Sequence, residues 1–140
     1  MTSDCIFCAI VAAEAPAAIV GENELALAIM DINPATDGHT LVISKVHAVD
    51  IWDLPPQDGR EMWSLAAEAA TAIRDGLQPD GLTVFQANRA AGWQEVFHFH
   101  LHLVPRYEGD DLVKPWTPSS AGRDRSTAAA ERIRSASPGS

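Results

Sequence analysis

The chain has 140 residues, 46% of them hydrophobic and 21% charged, the proportions of one folded domain rather than of a disordered chain. Its formal charge of −9 argues against extended binding to a DNA or RNA backbone, which needs a basic face, but leaves a single mononucleotide open, because a few imidazoles and backbone N–H groups can hold one. No apolar run approaches the roughly 20 residues of a membrane span, and the opening Met-Thr-Ser-Asp-Cys carries an acid where a secretory signal carries basic residues, so a cytoplasmic protein with reduced thiols is expected.

In chain order, Asp4 is the candidate N-cap of a short helix over Asp4–Val11, with Ile6, Phe7, Ile10 and Val11 at helical spacing and an end near Glu14-Ala-Pro16. Ala17–Gly21 and Glu24–Met30 are apolar-rich and separated by the polar pair Glu22-Asn23, which predicts two adjacent antiparallel strands. Asp31–Gly38 is dense in turn formers, and His39–Ser44 is short and β-branched, so a loop leads into a third strand. From Pro56 to Leu77 the residues Met62, Leu65, Ala66, Ala69, Ala72 and Ile73 recur at three and four, with Asp58 and Glu61 early and Arg74 late, as the dipole of one long helix favours. Gly81–Ala87 and Val96–Pro105 read as two further strands joined by the polar loop Asn88–Gln94. The fold class is therefore α+β: an antiparallel sheet of about five strands, one long helix and a short N-terminal helix. Residues 1–107 form this domain, and residues 108–140 form an extension whose Pro118-Ser-Ser-Ala-Gly122 and final Ser-Pro-Gly-Ser mark it as partly irregular, with a short helix over Thr127–Arg134.

The strongest chemical signal is Phe97-His98-Phe99-His100-Leu101-His102-Leu103-Val104. Successive side chains of a strand point to opposite faces, so the three imidazoles are expected on one face, with Phe97, Phe99, Leu101 and Leu103 buried on the other. Residues two apart on a strand lie about 6.5–7 Å apart, close enough for neighbouring imidazoles to flank a phosphate or approach one metal ion. A plain amphipathic strand accounts for one such histidine; three in strict alternation on a rigid element point to a site. Cys5-x-x-Cys8 has a metal-knuckle spacing, but by itself it fits two inert buried thiols better than a metal site, and a redox pair less well than either.

His98-Phe-His-Leu-His102-Leu-Val resembles the alternating histidine and apolar signature of the histidine triad family. Cys5-Ile-Phe-Cys8, Asp31-Ile-Asn-Pro34, Gly38-His-Thr-Leu-Val-Ile, Lys45-Val-His47, Asn88, Gln94 and Pro105-Arg106 stand in that family's order, so the resemblance covers roughly residues 4–107. It implies a nucleotide-binding hydrolase or transferase in which His100 attacks the α-phosphorus of a nucleoside phosphoramidate or dinucleoside polyphosphate, giving a nucleotidyl-histidine that water hydrolyses to a nucleoside monophosphate. By the same resemblance His102 donates to phosphate oxygens and His39 helps set the protonation of the array. Gln94 and Asn88 contact phosphate or nucleoside, and Asp31 accepts from the ribose hydroxyls. Ile6, Phe7, Ile10, Met30 and Ile32 form the slot for the base; residue type alone would make that set plain core.

Some bacterial members complete a structural Zn²⁺ site from residues that correspond here to Cys5, Cys8, His47 and His98, a closed Cys₂His₂ set. Relatives are mostly homodimers, and the Ala-rich long helix with Trp52 and Trp63 nearby is a candidate interface. The chain departs from the common pattern at Trp93-Gln94-Glu95, where many members have Gly-Gln-Ser or Gly-Gln-Thr, so the hydroxyl that assists an amine leaving group is absent. Two other readings stay open: a nucleotide-binding regulatory protein with incidental catalysis, and a zinc-binding interaction module in which all three triad histidines are ligands.

Overall fold

The structure, a computed structural model, describes residues 4–120 and 122–137. Its elements are α1 (Ile6–Val11), β1 (Ile19–Glu22), β2 (Ala26–Met30), β3 (Thr40–Ser44), α2 (Pro56–Leu77), β4 (Gly81–Phe85), a 3-10 turn (Ala90–Gly92), β5 (His100–Arg106) and α3 (Arg123–Ala136). The strands form one antiparallel sheet of five in the order β1-β2-β3-β5-β4, the expected α+β class. The chain divides into two compact units between Asp110 and Asp111. Arg106 holds the Asp110 carboxylate with two bonds (2.8 and 3.0 Å), and Glu108 N–H donates to Asp80 (2.8 Å), so the first unit runs past Tyr107. In the second unit α3 begins at Arg123, four residues before the helix read from the sequence. The readings placed on Met1–Ser3 and on Pro138–Ser140 lie outside the described residues. Among the described residues no helix is long and apolar enough to cross a membrane.

Period-two alternation builds a core on each face of the sheet. Ala26 and Ala28 of β2, Val42 of β3 and Leu101 and Leu103 of β5 pack with Met62, Leu65, Ala66 and Ile73 of α2. The intervening Leu27, Ile29, Leu41 and Ile43 pack on the opposite face with Phe7 and Ile10 of α1. β2 and β3 are thus covered on both sides, which explains their near-continuous apolar sequences. Pro56 starts α2 at a position whose N–H has no intrahelical partner, and Gln78 closes it in the left-handed region at φ 53. A Cβ on Gly21 would lie 3.2 Å from Leu65 Cδ1, so glycine lets α2 close on β1.

Among the element ends that differ from the sequence reading, three have a visible cause. The Asn23 Oδ1 accepts the N–H groups of Leu25 and Ala26 (3.0 and 2.9 Å), moving the hairpin turn one residue on. α1 starts after Cys5 rather than Asp4, because the Cys5 Sγ takes the N–H of Cys8 (3.4 Å) in the capping role. β5 starts at His100, not at Val96: the Val96 carbonyl accepts from the Gln94 side chain (3.2 Å) and the Phe99 N–H donates to Ala48 (2.7 Å), so this stretch bends instead of joining the ladder. Phe97, expected in the core, is in consequence half exposed, while Phe99 keeps its core place.

Candidate active site and metal cluster

Strand register sets the site. Residues directly opposite on antiparallel strands share a face, and β5 pairs His100 with Ile43 and His102 with both Leu41 and Phe85. His100 and His102 therefore lie on the α1 side of the sheet, while Leu101 and Leu103 face α2. Phe7 of α1 meets His100 edge-on with ring centroids 5.1 Å apart, and Phe85 stacks on His102 at 4.1 Å with a 6° interplanar angle. Phe85 was not singled out from the sequence, since nothing in a strand's own sequence gives its register against a partner. His39, the residue before β3, reaches the same place from the other side.

The hydrogen bonds fix which ring nitrogen carries each proton. The His100 Nδ1 lies 2.7 Å from the His98 carbonyl, which can only accept, so Nδ1 is protonated and Nε2 keeps the lone pair. The His39 Nδ1 accepts the Ala35 N–H (3.0 Å), so its proton is on Nε2, which donates to the His102 Nδ1 (3.0 Å) and lies 3.5 Å from the Asp31 carboxylate. His102 in turn has Nε2–H as its donor. Burial pushes the imidazolium forms of His39 and His100 below the ordinary histidine range, with Asp31 pulling partly the other way. For His102 burial, reinforced by His100 and His39, lowers the value to about 4. At neutral pH the array is uncharged, a lone pair on one ring beside an N–H donor on the next.

His98, fully buried, faces a different cluster. Its Nε2–H donates to the Ser44 carbonyl (2.7 Å), leaving the Nδ1 lone pair 3.3 Å from Cys5 Sγ, 3.5 Å from Cys8 Sγ and 3.2 Å from His47 Nδ1. The Cys8 Sγ and the His47 Nδ1 are also 3.2 Å apart. A tetrahedral ion with bonds of about 2.0–2.3 Å needs donor spacings of about 3.3–3.8 Å, so this set fits one, and the carbonyl behind His98 is the outer-shell partner a ligating imidazole usually has. Burial raises the Cys5 thiol, a cost that a cation bound to the thiolate offsets. Cys5, Cys8, His47 and His98 thus could hold a metal. Asp31, His39 and His102 are also close together, but the proton on His39 Nε2 occupies the nitrogen a metal would need, so they form a hydrogen-bond chain instead.

The remaining predicted residues divide. Asp31 is next to the array, its other oxygen accepting the Asn33 N–H (2.8 Å). Gln94 is buried: its Oε1 accepts the Arg89 N–H (2.6 Å) and its Nε2 donates to the carbonyls of Val49 (2.6 Å) and Val96 (3.2 Å). Asn88 likewise accepts the Ile51 N–H (2.7 Å) and pairs with the Gln86 amide. Both amides hold the loop over residues 88–94 to the connection after β3. Of the apolar set, Phe7 and Ile10 are core, Met30 is partly buried, and Ile6 and Ile32 are exposed, so no closed slot is built from them. A cavity of about 410 Å³ beside α2 and β4, lined by Ile73, Arg74, Asp80 and Leu82, contains none of these residues.

Comparison with known proteins adds the family. The sequence profile of the HIT domain matches residues 12–109. The chain belongs to the HIT family. Among its HIT relatives, "Protein hit" of Bacillus subtilis is 40% identical over 114 residues, 81% of this chain and 79% of that protein. "Adenylylsulfatase HINT3" of Arabidopsis thaliana is 34% identical over 123 residues, 88% of this chain and 61% of the relative. A crystal structure of a HIT family protein from Bacillus anthracis superposes with a TM-score of 0.90 at 36% identity, covering 96% of this chain and 97% of that one. A Zn-bound histidine triad family protein from Mycobacterium smegmatis superposes with a TM-score of 0.76 at 42% identity, covering 98% of this chain and 100% of the other. HIT proteins are in general nucleotide-binding hydrolases and transferases, and this chain shares their fold and triad.

Proposed function

We propose that this HIT protein hydrolyses or transfers nucleotides from phosphoramidates or dinucleoside polyphosphates by attack of His100 on the α-phosphorus. The observation that carries the reading is the 2.7 Å bond from His100 Nδ1 to the His98 carbonyl, which leaves Nε2 unprotonated. Nε2 forms the N–P bond as the bond to the leaving group breaks, and the electron pair departs with that group. His102 Nε2–H donates to a phosphoryl oxygen as charge grows there, and His39, itself beside Asp31, holds His102 in that tautomer. Water then attacks phosphorus, loses a proton, and the N–P electron pair returns to His100, releasing a nucleoside monophosphate. In this reading Asp31, beside His39, accepts from the ribose hydroxyls, and Met30, Ile6 and Ile32 are the apolar side chains left partly open for a base. Gln94 and Asn88 act as positioning residues for the phosphate loop.

The Cys5, Cys8, His47 and His98 set is read as a structural Zn²⁺ site, supported by its donor spacing and by the Zn-bound relative. When bound, the ion cross-links α1, the connection after β3 and the lead-in to β5 without touching substrate. The working form is read as a cytoplasmic homodimer, for which the unpaired edge of β4, with Leu82, Val84 and Phe85 exposed, gives support alongside Trp52 and Trp63. The test is His100→Asn. Both proteins should hold one zinc per chain, and the variant should lose turnover of adenosine 5′-phosphoramidate by at least about 10³-fold while retaining nucleotide binding. Turnover surviving in His100→Asn would mark catalysis by other groups, and loss of the metal with it would favour the zinc module.

A further inference from the structure

The segment from Phe85 to Phe99 and the segment from Ala48 to Leu54 hold a single Lys or Arg between them, Arg89. Its backbone is at φ 63 and ψ 164, a combination that only glycine adopts cheaply. Trp93, at the other end of the same 3-10 turn, is also strained at φ 76. Backbone strain kept at two non-glycine residues of one short turn points to a placed side chain. The placement is visible: the Arg89 guanidinium lies 4.4 Å over the Trp52 ring, and its Nε is 3.8 Å from the Asp50 carboxylate. Asp50 is itself buried, and its other oxygen accepts the N–H groups of Trp52 and Asp53 (both 3.1 Å). The guanidinium remains mostly exposed, so its outer N–H groups can take an anion.

The loop that carries Arg89 is tied to the histidine array at both ends. It leaves β4 after Phe85, which stacks on His102, and returns at His98, whose carbonyl holds His100. Its return limb is stapled through Gln94 to Val49, next to the Ala48 carbonyl that binds the Phe99 N–H. A departing amine must gain a proton, and the residue after Gln94 is the exposed carboxylate Glu95, not a hydroxyl. Sulfate, or a phosphate that already carries one proton on an outer oxygen, leaves with its electron pair alone and needs only a counter-charge.

We propose that Arg89, held by Trp52 and Asp50, is a specificity-determining residue that favours substrates whose leaving group is a tetrahedral oxyanion, sulfate or phosphate, over those that release an amine. This rests on the reading of His100 as nucleophile. In the step concerned, His100 Nε2 forms the N–P bond, the P–O bond to the leaving group breaks, its electron pair stays on the departing oxygen, and Arg89 N–H groups donate to that anion. No proton is transferred to the leaving group.

The experiment compares three substrates that share one nucleotide: adenosine 5′-phosphosulfate, ADP and adenosine 5′-phosphoramidate. Adduct formation and kcat/KM are measured for the full chain, for Arg89→Ala and Arg89→Lys, and for Arg60→Ala on the exposed face of α2 as a charge control. Arg89→Ala should lower the ratio of anhydride to phosphoramidate kcat/KM by about ten- to a hundred-fold, the usual effect of removing one charged donor from a developing anion. Arg89→Lys should recover part of that ratio, and Arg60→Ala should leave it unchanged. The larger drop, with the phosphosulfate or with ADP, identifies which oxyanion the subsite takes. An unchanged ratio in Arg89→Ala, or the same drop in Arg60→Ala, overturns the proposal while leaving His100 as nucleophile. If the unaltered protein forms no His100 adduct with any of the three, the catalytic reading itself fails, and this inference with it.

Discussion

Gly38 precedes His39 and has φ +93, and a Cβ built on it would sit 2.3 Å from Leu77 Cδ1 and 3.1 Å from Pro105 Cγ. The two contacts are not equivalent. Leu77 is half exposed and its tip can swing away, whereas Pro105 is fully buried on β5 and its ring cannot. Gly38→Ala therefore costs about 1–2 kcal/mol for the backbone conformation and about 1–2 kcal/mol for overpacking against Pro105, roughly 2–4 kcal/mol together. Gly109→Ala is the matched control: its φ is +78, but its Cβ meets nothing within 4 Å, so it carries only the backbone part, about 1–2 kcal/mol. Urea denaturation monitored by tryptophan fluorescence, with m-values compared, measures both. Since the same turn supplies the Ala35 N–H that sets the His39 tautomer, Gly38→Ala should also slow turnover, and Gly109→Ala should not. Equal losses of stability in the two variants would refute the packing argument.

Other predictions follow from the same geometry. Because His102 titrates at about 4 folded against 6.5 for the ordinary value, the unfolded chain takes up a proton below pH 6.5 that the folded chain refuses. The His102 contribution to stability is therefore present above pH 6.5 and declines as pH falls toward 4. His102→Gln should show a shallower acid decline of the urea midpoint than the unaltered protein; parallel curves would contradict the assignment. Metal removal by a chelator, or Cys8→Ser, should lower the thermal midpoint and slow turnover together, since the ligand His98 also carries the carbonyl that holds His100. Metal content measured beside activity checks this, and full activity in metal-free protein would break the link. Phe85→Leu keeps an apolar side chain but removes the ring stacked on His102, and kcat/KM should fall about three- to ten-fold with stability changed by less than about 1 kcal/mol.

How far the sequence reached depends on what kind of information each feature carries. The long helix has both ends where the pattern puts them, because Pro56, the apolar repeat and the acid-to-base gradient are all local. That the three imidazoles share one face was legible from alternation alone, and Phe7 meets both His98 and His100 there. What alternation could not give is that His98 pairs with Cys5 and Cys8, so that the run of three serves two clusters. That split came from resemblance, not from period. Ligand contacts for Gln94 and Asn88 are what the resemblance implies, and the structure adds that the loop's own backbone groups take those amides as partners. Phe85 against His102 and Arg89 against Trp52 are pairings between segments far apart in sequence, fixed by register and loop course that no single stretch encodes.

If His100 Nε2, and no other group, takes the nucleotide, the covalent adduct must sit on a single peptide. Acid-stable trapping is unsuitable for a phosphorus–nitrogen bond, so the measurement is a base-quenched single turnover with adenosine 5′-phosphoramidate, followed by peptide mapping at high pH. One adenylyl group is expected on the peptide containing His100, absent in His100→Asn and reduced in His39→Ala. Adenylyl label on His102 or His39, or substrate consumed in a single turnover with no labelled peptide, would contradict it.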